Sequence, residues 1–152
     1  MTGLLIVHLS MKEIERFAQE LIHLIEPLSQ EDIWTEAHGI PNSIGKLLQH
    51  LTGNLNHYFG AGVLKNGYVR DRDHEFTNTN LAKDTLIVEL ETAVSIAREA
   101  AKQIDDELIR QPYTTPCGQH FESFAYHAIR LATHFALHLG QVDYAIHSIH
   151  AE

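Results

Sequence analysis

The chain has 152 residues, enough for one domain with its own core, and its 44% apolar and 20% charged content are those of a globular protein. A formal net charge of −9, with 11 Lys and Arg against 20 Asp and Glu, excludes the clustered basic surface that nucleic acid or an anionic membrane demands. The single cysteine, Cys117, excludes an internal disulfide and points to a reducing cytoplasmic compartment, while the apolar run 4–7 is too short for a secretory segment or a membrane span.

Four helices are predicted in chain order. The first opens at Ser10, which forms a capping box with Glu13; Ile14, Phe17, Leu21, Leu24, Ile25 and Leu28 recur at helical spacing, and Pro27 marks its exit. A connector follows over residues 29–41, with Trp34 as a packing anchor. The second helix begins at Asn42 or Ser43, either of which can cap it, and carries Ile44, Leu47, Leu48, Leu51, Leu55, Tyr58 and Phe59. Gly60 and Gly62 weaken it, and Asn66-Gly67 signals a turn. A polar loop, VRDRDHEFTNTN, leads to the third helix, capped by Asn80, with Leu86, Ile87, Leu90, Val94, Ala97, Ala101, Ile104 and Leu108 inward. Glu89, Arg98, Glu99, Lys102 and Asp105 form its solvated face. After a second connector with Pro112, Pro116, Cys117 and Gly118, the last helix runs from about residue 119 to 149. No period-two stretch is convincing, so strands are absent or trivial. The expectation is an all-α, up-and-down four-helix bundle in one domain over residues 1–152.

The chemistry-bearing residues are histidines, of which the chain has 12. In H-F-A-L-H-L-G-Q, His134 and His138 are four apart, so on a helix their imidazoles stand one turn above each other and can share an ion. A third, His50, lies in another apolar helical run, SIGKLLQHL. A step of about 100° per residue puts His127, His134, His138 and Gln141 in one stripe, with Arg130 near it, and likewise aligns His50, Asn54 and His57. Burying this many imidazoles is costly unless each finds a partner, and a metal is one such partner. His57 and His127 are read either as pocket-lining groups or as packed core histidines. His8, His23, His38, His147 and His150 are surface or terminal residues, and His120 is undecided.

Some arrangements are missing. Phe135 follows His134, so this is not the H-E-x-x-H pattern, and Leu131 and Phe135 stand where di-iron bundles place Glu. A mononuclear site fits better. In the loop, Arg70 and Arg72 alternate with Asp71, Asp73, His74 and Glu75. The plainer reading is a solvated, self-compensating charge run; the sharper one folds an arginine such as Arg72 over the site to meet an anionic substrate.

NSIGKLLQHLTGN (residues 42–54) and THFALHLGQVDYA (residues 133–145) together resemble the DinB-like (YfiT-like) superfamily of metal-dependent proteins. The segment over residues 28–34 and the arginine loop are similar to a poorly characterised branch of it. The resemblance implies a four-helix bundle with up-down-down-up connectivity, a divalent ion, commonly zinc or nickel, on His50, His134 and His138, and in many members a homodimer. It further implies an enzyme acting on a small molecule, either a transferase using a low-molecular-weight thiol or a hydrolase, in which the ion activates water or a thiol. The competing expectation is a non-catalytic metal-binding or stress-response module whose site is closed by His57, Cys117 or a carboxylate.

Overall fold

The computed structural model describes residues 2–151, and it is mainly helical. Four long helical segments carry the core: α1 (Thr2–Ile25), α3 (Ile44–Leu55) with its π-helical continuation (Asn56–Leu64), α5 (Lys83–Lys102) and α7 (Phe124–Ile149). Short helices α2 (Gln30–Trp34), α4 (Arg72–Thr77) and α6 (Asp106–Arg110) sit in the connectors, and β1 (Tyr113–Thr114) pairs antiparallel with β2 (His120–Phe121) ahead of α7. Among the described residues no helix is long and apolar enough to cross a membrane.

The apolar positions read from the sequence in the first three helices form the interior, joined by residues of the last helix. Ile14, Leu21 and Ile25 of α1, Ile44, Leu48 and Phe59 of the α3 segment, Leu90 and Ala97 of α5, and Phe124 and Val142 of α7 are wholly buried. Each large side chain removed from water in this way contributes about 1.5–3 kcal/mol against the entropy of ordering it. Phe17 of α1 stacks on Phe135 of α7 with ring centroids 6.4 Å apart. The solvated face read for α5 is exposed throughout, from Glu89 to Lys102.

Helix boundaries depart from the sequence reading where tertiary contacts decide them. Ser10 caps nothing: it is buried in the middle of α1, which starts at Thr2 because Val7 and Met11 extend the apolar stripe of Ile14 backwards by two turns. Glu13 pairs with Arg16 on the surface instead of closing a box. Asn80 does not cap α5 either. Its first turn is held by Gln30 of α2, whose Oε1 accepts from Lys83 N at 2.8 Å, while Lys83 Nζ donates to the carbonyls of Glu26 and Leu28 in the turn that follows α1. Trp34 is the anchor expected, its Nε1 donating to Leu81 O at 3.1 Å. Ser43 caps α3 as read, and α7 begins later than residue 119, with Ser123 capping Tyr126 N.

Candidate metal centre

The site lies where α3 and α7 face each other, and local sequence explains how each ring reaches it. His50 is in the α3 stripe between Leu47 and Leu51, so it is turned inward with them and is 6% exposed. His134 and His138 are one turn apart on α7, flanking the buried Phe135. The result is convergence. His50 Nε2 stands 3.2 Å from His134 Nε2, and His138 Nε2 stands 3.0 Å from the same atom. The three rings offer ligand atoms all within 4.8 Å of one another, close enough to hold a metal ion. For nitrogen ligands at about 2.0–2.1 Å from an ion, tetrahedral geometry spaces neighbours by roughly 3.3 Å, close to the two edges that meet at His134 Nε2.

The outer nitrogens decide the tautomers. His50 Nδ1 lies 2.9 Å from Glu75 Oε2, which only accepts, and 3.2 Å from Arg70 Nη2, which only donates. Because Arg70 already has shorter bonds to both Glu75 oxygens, the tautomer that donates from Nδ1 to Glu75 fits best and leaves Nε2 bare. His138 Nδ1 lies 2.7 Å from Gln141 Oε1, an amide oxygen that also only accepts, so its Nε2 is bare as well. Two lone pairs therefore aim at His134 Nε2. A proton there can satisfy one of them but not both; a cation at the centre satisfies all three.

Electrostatics favour neutral ligands. Burial, reinforced by His138, His50 and two arginines, pushes the His134 imidazole down to about 3. His138 is also lowered, mainly by burial, with the Gln141 hydrogen bond opposing. Both rings are thus unprotonated at neutral pH, as ligation requires. Glu75 is the reverse case: burial would raise its carboxyl, but hydrogen bonds from His50 and Arg70 outweigh that and hold it below the ordinary carboxylate range.

Glu75 and Arg70 are the residues the sequence reading missed. Of the two readings of the loop, neither foresees this buried pair, and the solvated charge run fails for it. Glu75 is 5% exposed; Arg70 grips it with Nε at 2.6 Å from Oε1 and Nη2 at 2.9 Å from Oε2. The pair is buried because Asp71 caps α4 by accepting from His74 N, which turns Glu75 inward one turn later. Gly53 makes the space: a Cβ there would collide with the Glu75 carboxylate. Only Gly53, one helical turn beyond His50, hinted at this in the sequence.

A cavity of about 470 Å³ opens beside the cluster, lined by His50 and His134 together with Asn54, His57, Tyr58, Arg70, Arg72, Cys117, Gln119, Phe121, His127, Arg130 and Leu131. The stripe of His50, Asn54 and His57 expected on one face does reach one cavity, although the helix passes from α to π winding between the last two. Burial lowers the His57 imidazole. Gln141 is not in the wall but behind it, orienting His138. His127 packs among the rings of Tyr58, Tyr113, Phe121 and Phe124, with neither ring nitrogen hydrogen-bonded, and burial drives its imidazole down to about 4. Cys117 is exposed at the rim beside Thr115; hydrogen bonds from Thr115 and the Gln119 backbone outweigh desolvation and lower its thiol. Neither it nor His57 joins the three rings as a fourth ligand among the described residues. His8, His23, His38, His147 and His150 are exposed, as read, and His120 pairs with Thr114 across the hairpin.

A mainly helical protein with three convergent imidazoles beside a cavity is the class these features define. The chain belongs to the family described as "Protein of unknown function (DUF1572)", whose model matches residues 5–152. No curated protein matches it.

Proposed function

We propose that this protein is a metal-dependent enzyme in which His50, His134 and His138 hold one divalent ion, zinc or nickel, within a DinB-like four-helix bundle of up-down-down-up connectivity. The observation that carries the reading is the pair of bare Nε2 lone pairs, fixed by Glu75 and Gln141, that converge with the third ring on one point. When bound there, such an ion acts as a Lewis acid that lowers the pKa of coordinated water or of a thiol cosubstrate, so thiol transfer and hydrolysis are the reaction types that fit.

The chain's own groups supply the rest. Glu75 locks the His50 ring and raises its basicity; Arg70 holds Glu75 ionised and in place. His57 borders the cavity with a lowered imidazole, neutral at pH 7 and free to accept a proton from a small-molecule substrate or thiol. Asn54 and Gln119 offer amide groups for orientation.

The test is metal content and coordination. Protein purified without an affinity tag takes up one equivalent of zinc or cobalt, and the cobalt spectrum shows exchangeable water; thiol conjugation of an electrophile and ester hydrolysis are then screened with and without metal. Failure to bind metal at neutral pH after reconstitution ends the proposal.

A further inference from the structure

The charge of the cavity runs opposite to that of the molecule. The protein carries a net charge of −9, yet three arginines and no aspartate or glutamate line this cavity. Arg70 is spent on Glu75. Arg72, the first residue of α4, and Arg130 of α7 are different: among the described residues neither guanidinium makes a hydrogen bond or an ion pair. The acids of the same loop are kept away from them. Asp71 turns its carboxylate onto the His74 backbone, and Glu75 is closed off between Arg70 and His50. The local fold thus pairs Arg70 with Glu75 and leaves Arg72 unpaired on the cavity wall, with none of the loop's carboxylates lining it.

Two unpaired arginines on a cavity free of carboxylates form a receptor for anionic oxygen groups, since each guanidinium offers parallel N–H donors matched to a carboxylate or phosphate. The volume suits a small molecule. We propose that the cavity takes a small acid, whose carboxylate or phosphate group sits against Arg72 and Arg130 while its reacting end reaches the imidazole cluster on the side of His50 and His134. This names the substrate class of the metal-dependent centre proposed above and rests on that reading for the reaction, though not for the binding of the anion.

Calorimetry on metal-free and zinc-loaded protein tests it, with succinate, inorganic phosphate and the neutral succinamide as probes, on wild type and the Arg72→Gln, Arg130→Gln and double variants. Both arginines are outside the core, so the variants are expected to keep the wild-type circular dichroism and zinc affinity. At least one anion binds wild type in both metal states, succinamide does not, and the double variant binds about tenfold or more weakly. Preference for succinate or for phosphate tells which anionic group the site suits. If the double variant binds as tightly as wild type, if succinamide competes equally, or if no anion binds, the inference falls. A wild type that binds the anion through its arginines but takes up no zinc would instead sink the metal reading and leave the anion site standing.

Discussion

Two buried histidines on the same cavity are treated in opposite ways. His50 has a carboxylate at Nδ1 and the other imidazoles at Nε2, so its ring is fixed and its tautomer set. His127, buried more deeply, sits in an aromatic cage with both nitrogens unpaired, against the ring of Tyr113, whose hydroxyl is itself buried without a partner and pushed up to about 12 by burial. The first arrangement is the one that a ligand of the proposed ion would need. The second stores a destabilising term, because a buried donor or acceptor without a partner costs about 1–3 kcal/mol. Burial alone therefore does not tell the two apart. His50 and His138 differ from His127 by the groups behind their rings, while His134, whose Nδ1 is buried without a partner, differs only by the two imidazoles that meet its Nε2.

The largest break in this contrast comes from the cluster. His138→Ala is expected to lower zinc affinity by more than about 100-fold, read by competition with a chelating dye, whereas His147→Ala on the exposed end of α7 leaves it unchanged. Equal effects would remove the assignment. Glu75→Gln comes next, with zinc affinity down by about 10–100-fold, because the His50 ring loses its carboxylate partner. Gly53→Ala acts in the same direction by displacing Glu75, and a normal zinc affinity in both variants would show that the carboxylate does not matter.

His127 sharpens the comparison through pH. Its folded imidazole is lowered to about 4 from an ordinary 6.5, so below pH 6.5 the unfolded chain binds a proton the folded one refuses. Stability from this group is present above pH 6.5 and lost as the pH falls toward 4, about 2 kcal/mol of it by pH 5. Urea unfolding of metal-free His127→Phe is expected to lose less stability between pH 7.5 and pH 5 than wild type does. An unchanged difference would mean that His127 is not buried as described. The smallest effect is Trp34→Phe, which removes the hydrogen bond to Leu81 O; it costs about 1 kcal/mol of stability and leaves zinc affinity untouched.

The helical content and much of the core were legible because apolar periodicity survives any connector: Leu47, Leu48 and Leu51 are inward on α3 for the reason their spacing gave. So were His50, His134 and His138, since two lay one turn apart and all three shared apolar stripes. Boundaries were less legible. Ser10 looks like a cap only if residues 2–9 are ignored, and α5 takes its cap from Gln30, about fifty residues upstream, which no local pattern encodes. The charge loop hid most. Whether Glu75 meets solvent or His50 depends on the turn set by Asp71 and on the room left by Gly53, and both are tertiary facts.

The most direct test is an anomalous difference map from crystals grown with zinc at neutral pH. A single strong peak about 2.0–2.1 Å from Nε2 of His50, His134 and His138, with Glu75 and Gln141 still on the outer nitrogens, is the predicted result. Zinc bound elsewhere, or three rings turned away from one another, would contradict it.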